Sequence, residues 1–173
     1  PGSLGRVASG LEQAGVRGVL CYEVTDRGGV DRMRAGIAEN VRFAREWRRD
    51  EERDFVGLMG GHAAFTLSDR TLAEIAAAPP PGFHIHVAED RADVADGDPI
   101  SRLDAAGLLG EHTILAHGVH LDEQALEIAA ERGCWLVHNP RSNMNNQVGY
   151  AGLLAHYDRI ALGTDGIGCD VLA

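Results

Sequence analysis

The chain has 173 residues, 45% hydrophobic and 24% charged, a balance that supports a substantial buried core and excludes a disordered chain. Its net charge of −10 excludes binding along a nucleic-acid backbone, which needs a basic face. No apolar run approaches the ~20 residues of a membrane span, and Pro1-Gly2-Ser3-Leu4 shows no signal-peptide pattern, so a cytoplasmic protein is expected.

Six short β-rich runs punctuate the chain: Gly18–Val24, Phe55–Met59, Phe83–Val87, Thr113–Ala116, Cys134–Val137 and Arg159–Leu162. Between the first two, Met33, Ile37, Val41 and Ala44 recur at helical spacing, so Asp31–Arg49 is expected to be an amphipathic helix with an arginine-rich outer face. Ser68, followed by Leu72 and Ile75, opens a second helix as its N-cap, and Pro79-Pro80-Pro81 stops it. The run Asp90, Asp93, Asp96 and Asp98 reads as a solvated loop. Asp122 opens a further helix over Glu123–Arg132, and Gly133 closes it. Strand and helix alternate throughout, which predicts one α/β domain over residues 1–173 with a parallel sheet. The three cysteines, Cys21, Cys134 and Cys169, lie too far apart for a paired motif and read as buried thiols.

Alternation alone leaves a barrel and an open doubly wound sheet both available. The open sheet should carry a glycine-rich phosphate loop, and Gly28-Gly29 does not make one. The residues at the strand ends favour the barrel, whose catalytic groups stand at the C-terminal ends of its strands. Glu23 and Asp26 follow the first run, His62 the second, and His84, His86 and Glu89 end the third. His117 and His120 end the fourth, His138 the fifth, and Asp165 the sixth. Six of the eight histidines fall in these segments. A packed core has no use for such a ring, whereas imidazole and carboxylate together suit a hydrolytic zinc or iron site.

The segments Gly60–Asp69, His84–Asp90, Leu115–Glu123, Val137–Asn146 and Leu162–Asp170 resemble, in order, the aminohydrolase branch of the amidohydrolase superfamily. That branch holds cytosine, guanine and adenosine-type deaminases and the triazine chlorohydrolases. Val16–Gly29 resembles the SsnA-type aminohydrolases. The resemblance implies a partial (β/α) barrel of the triosephosphate-isomerase type and hydrolytic deamination of an N-heterocycle by a metal-activated water. Chloride or amide leaving groups are the alternative within the same superfamily. It implies that His86 and Asp165 ligate a divalent metal, zinc before iron. Glu89 would shuttle a proton to the leaving group, His117 would hydrogen-bond the attacking hydroxide or the substrate, and Asp165 would take the proton from the water. His62, Glu89 and His117 would contact substrate.

The family's further His-x-His pair on its first strand has no counterpart, since His84/His86 fall on the fifth. The six runs therefore correspond to barrel strands three to eight, and 173 residues fall short of the ~250 of a complete barrel. Such an arc alone is expected to be inactive and to cover its open edges by pairing with another copy. A non-catalytic module is the reading from outside the enzymes. Among the remaining candidates, His84 is expected to be a hydrogen-bonded core residue one layer below His86, and His120 a loop support. His138 and Asn143 are expected to line the pocket floor or brace the loop, Asn143 as a candidate substrate contact. Arg141 is an anion contact or a surface arginine.

Overall fold

The computed structural model describes residues 2–47, 55–78 and 82–166. Helix α1 (Ser3–Gln13) leads into β1 (Gly18–Leu20), and the same run resumes after a break as β2 (Glu23–Val24). Helix α2 (Val30–Glu46) follows, then a second interrupted run, β3 (Phe55–Gly57) and β4 (Met59–Ala63). The rest alternates strictly: α3 (Asp69–Ala76), β5 (Phe83–Val87), α4 (Pro99–Ala105), β6 (Ile114–His117), α5 (Glu123–Glu131), β7 (Trp135–His138), α6 (Pro140–Asn145) and β8 (Ile160–Leu162).

Every strand pairing is parallel. β1 pairs with β3, and the other six run β2-β4-β5-β6-β7-β8. That spatial order repeats the chain order without a reversal. An open doubly wound sheet reverses at its switch point, whereas a barrel steps one strand at a time in one direction. The arc is part of a barrel, as the sequence predicts.

The six expected strands are all present, but two carry breaks. At the first, Tyr22 lies between β1 and β2, and the buried side chain of Asn40 on α2 serves it instead of a strand. Tyr22 N donates to Asn40 Oδ1 at 2.6 Å, and Asn40 Nδ2 donates to Tyr22 O at 2.8 Å. The second run extends four residues beyond its expected end at Met59, through Gly60 and Gly61. Gly60 is needed there for close approach: a Cβ would stand 2.5 Å from Tyr22 O.

Helix α2 turns inward a face that overlaps the predicted stripe and is rotated from it. Met33, Gly36, Glu39, Asn40 and Phe43 are buried, while Ile37 and Val41 are only partly so. Two polar side chains turn inward because they satisfy backbone groups: Asn40 on Tyr22, and Glu39 accepting from Gly2 N and Leu4 N at 2.8 and 3.2 Å. The expected caps are present. Ser68 accepts from Thr71 N, Asp122 accepts from Ala125 N, and Gly133 follows α5 with φ 72°. Helices α1, α4 and α6 were not read from the sequence. Helix α4 starts at Pro99 under an Asp98 cap, so part of the acidic run is capping chemistry rather than solvated loop. Arg48 and Arg49, Pro79 to Pro81 and Cys169 lie outside the described residues.

Phe83, Ile85 and Val87 of β5 point out to the helices and are buried, while His84 and His86 point to the barrel interior. Leu72 and Ile75 of α3, Ile100 and Leu103 of α4, and Ala125 and Ala129 of α5 join Ile85, Leu115 and Leu136 in one core. Each fully buried large aliphatic side chain there contributes ~1.5–3 kcal/mol. A second cluster, Leu4, Ala8, Phe43 and Phe55, closes the α1 corner, with Trp47 stacked on Phe43 at 5.6 Å.

Candidate active site

The strands bring a row of imidazoles to one rim. His62 lies in β4, its ring 5.9 Å from that of His86 near the end of β5, and His86 lies 5.2 Å from His117, the last residue of β6. His84 stands one layer down, 6.1 Å from His86, with Nδ1 3.5 Å from Cys21 Sγ. Burial holds the His84 imidazole down to about 4 and pushes the Cys21 thiol up to about 11, so both are uncharged near neutrality. The expected hydrogen-bonded core histidine is there, with a thiol as partner. Burial also lowers His86, followed by the neighbouring His117 and His62 rings. A neutral imidazole is the form that ligates a metal.

Three groups close on one another beyond His86. Single ligand atoms of Glu89, His117 and Asp165 all lie within 4.8 Å of one another. His117 Nε2 is 3.6 Å from Glu89 Oε2 and 3.8 Å from Asp165 Oδ2. At the other end of that ring, Nδ1 donates to Asn143 Oδ1 at 2.9 Å. The other ring nitrogen, Nε2, faces both carboxylates, so one imidazole nitrogen and two carboxylate oxygens converge in the pattern that a divalent cation takes. The donor set of imidazole and carboxylate oxygens fits zinc.

Backbone conformation aims these groups. Alternation along β6 would place His117 on the outer face with Leu115, in the opposite phase to Ala116. Its φ of 73° ends the strand and turns the ring inward. Ala88, just before Glu89, has φ 48°, and Asp165 has φ 54°. Non-glycine residues in this region cost on the order of 1–3 kcal/mol each, and such strain concentrates at functional sites.

The short helix α6 and its C-cap hold all three groups. Ser142 Oγ donates to Asp165 Oδ2 at 2.6 Å, Asn143 meets His117, and Asn146 Nδ2 donates to Glu89 Oε1 at 3.2 Å. The Ser142 bond is the main reason that the Asp165 carboxyl lies below its ordinary range, with Gly166 N adding to it at 2.6 Å. Asp93 Oδ2 accepts from Glu89 N at 2.9 Å and fixes the backbone there.

His62 belongs to β4 rather than following the strand. Asn143, expected on the pocket floor or as a brace, is fully buried behind His117 and bonds to it. His120 supports its loop, with Nε2 donating to Val148 O at 2.9 Å. His138 ends β7 in a T-shaped contact with the Tyr150 ring, 5.1 Å away, and among the described residues neither of its ring nitrogens has a hydrogen-bond partner. Sequence reasoning missed Ser142 and Asn146. Their only signal was spacing: positions 142, 143 and 146 share one side of a helical turn, in a stretch read as a loop.

The Amidohydrolase family pattern matches residues 4–172. The chain belongs to that family. Among amidohydrolase relatives, it is 34% identical over 172 residues to 5-methylthioadenosine/S-adenosylhomocysteine deaminase 2 of Archaeoglobus fulgidus, covering 92% of this chain and 41% of that protein. It is 33% identical over 172 residues to the 5'-deoxyadenosine deaminase of Methanothermobacter thermautotrophicus, covering 92% and 40%. The chain thus spans about two fifths of the length of these relatives. An adenosine deaminase from Xanthomonas campestris with bound zinc superposes with a TM-score of 0.77 at 26% identity, over 92% of this chain and 39% of that one. Guanine deaminase from C. acetobutylicum shares the fold, with a TM-score of 0.79 at 16% identity over 95% and 43%.

Proposed function

We propose that these residues are the proton-handling part of a metal-dependent aminohydrolase, which removes ammonia from a small N-heterocycle by attack of water. The convergence of Glu89, His117 and Asp165 within 4.8 Å, with His86 beside them, carries this reading. Relatives named as deaminases support it.

His86 and Asp165 would hold the metal, zinc by analogy with the Xanthomonas deaminase, and the ion supplies the Lewis acidity that makes water a nucleophile near pH ~7. Asp165, kept ionised by Ser142 and Gly166, takes a proton from the attacking water. Glu89 carries a proton to the departing nitrogen, which leaves as ammonia. His117 holds its proton on Nδ1 through Asn143 and offers Nε2 to the attacking water or the substrate. His62 contacts the heterocycle from the next strand, and Asn143 acts on the substrate through His117.

The test is ammonia release from a panel of aminopurines and aminopyrimidines by the zinc-reconstituted full-length protein. Chloride release from chlorinated analogues without ammonia from any amine would overturn the reading. Of the metal ligands that the family resemblance implies, the 173-residue chain expressed alone would retain His86 and Asp165, and it exposes Val19, Ile160 and Leu162 on its outermost strands. It should bind zinc weakly, turn over nothing and self-associate, which titration calorimetry and light scattering would check.

A further inference from the structure

At the His62 end of the histidine row, the hydrogen bonds determine where a proton sits. Thr66 Oγ1 gives its single proton to Ala63 O at 2.8 Å and accepts from Ala63 N at 3.2 Å. Toward His62 Nδ1, 3.1 Å away, that oxygen can therefore only accept, so Nδ1 carries the ring proton. Nε2 faces the other way and meets Glu23 Oε1 at 3.2 Å. Glu23 Oε1 is an acceptor whichever proton the ring holds, and a substrate N–H directed at the pair would be received by that carboxylate.

Glu23 is suited to receive one. It follows the break after β1 and lies on the interior face of the arc, since its neighbour Val24 is buried on the opposite side among the helices. More than half of its side chain, 56%, is exposed, and its contact is with His62. The pair stands one histidine ring, that of His86, away from the row's other end at His117. A flat heterocycle with its amino-bearing carbon at the Glu89, His117 and Asp165 cluster directs another edge toward Glu23.

We propose that Glu23 is a specificity-determining residue, which together with His62 recognises an N–H-bearing edge of the heterocycle, of the lactam or amidine type. This rests on the deaminase reading above. The pair selects heterocycles with such an edge over those that present only bare ring nitrogens, because a carboxylate cannot donate to a bare nitrogen. It also disfavours substrates that carry an anionic group on that edge.

The experiment compares Glu23→Leu and Glu23→Gln with wild type in the full-length, zinc-loaded protein. The probes are guanine and isocytosine, which carry a ring N–H beside the amino-bearing carbon, and adenosine, which has no N–H outside its amino group. Wild type should favour the N–H-edged probes. Glu23→Leu should lower their kcat/KM by ~100-fold or more while changing adenosine by only a few-fold, and Glu23→Gln, which keeps an acceptor, should fall between. A readout independent of turnover is the 15N shift of the His62 ring, which isocytosine should move in wild type and not in Glu23→Leu. Equal losses on all probes, or no loss, would overturn the role of Glu23 while leaving deamination standing. Ring shifts that depend on Glu23 in a protein that releases no ammonia from any probe would keep the recognition pair and remove the deaminase reading.

Discussion

The two ends of the histidine row are built differently. At one end, Glu89, His117 and Asp165 each receive a hydrogen bond or a fixed acceptor from α6, and two of the three sit in left-handed backbone that holds a single orientation. At the other end His62 is anchored through Thr66, but Glu23 reaches it from a two-residue strand with most of its side chain in the open. On the proposed function this division has a reason: proton transfer tolerates little displacement, so its groups would be held from both sides, whereas recognition at the opposite edge would need one anchored ring and one adjustable partner. Such a scaffold would keep its chemistry and change its substrate by substitution at the looser end.

Removing a proton carrier should have the largest effect. Glu89→Gln should lower kcat by ~10²–10⁴ with zinc content unchanged, whereas Asp165→Ala should lose both activity and metal, as measured by turnover and metal analysis side by side. Near-normal rates in either variant would break the assignment of the chemical end. A finer comparison pairs Asn143→Ala with Thr66→Val. The first frees the His117 ring and should lower kcat by ~10–100-fold with KM little changed, while the second loosens His62 and should raise KM with kcat largely kept. The reverse pattern would show that the two ends do not divide the work.

A control lies outside the histidine row. Glu39 is held down to about 2, chiefly by its bonds to Arg42 and then by the N–H groups of Gly2 and Leu4. Its folded value lies below the ordinary 4.5, so its stabilisation is complete above pH 4.5 and is lost as pH falls toward 2. Glu39→Gln should cost ~2 kcal/mol in urea melts at pH 7 and almost nothing near pH 2, without altering kcat. The smallest effect belongs to Ser68→Ala, which removes the cap of α3. It should cost ~1 kcal/mol and leave the His62 ring nitrogen shifts unchanged.

The architecture was legible because strand and helix spacing, caps and polar strand ends all agree. His86, Glu89, His117 and Asp165 could be named because each follows or ends an apolar run. What could not be seen was orientation. Alternation puts His117 on the wrong face, and only its left-handed backbone corrects that, a conformation that a histidine in sequence does not announce. The α6 residues were hidden for a related reason. A helix of six residues opening at Asn139-Pro140 looks like a turn, so the side shared by Ser142, Asn143 and Asn146 had no period to reveal it. Glu23 was in view at a strand end, but its partner His62 was placed after the strand because the apolar run stops at Met59 while β4 continues to Ala63.

The contact between Asn40 and Tyr22 also bears on strand slippage. A strand that moves by one residue turns every side chain to the opposite face. Between β1 and β2 no neighbouring strand holds Tyr22, yet its N–H and C=O are both claimed by one amide on α2. That amide fits a single residue and works as a register pin driven through the sheet from the helix layer. A slip would have to break both of these part-buried bonds, and would carry Cys21 and Glu23 out of the barrel and Val24 into it. The Tyr22 amide should therefore exchange with solvent as slowly as those of the paired strands on either side, and the facing of Glu23 toward the barrel interior is supported by an asparagine eighteen residues further along the chain.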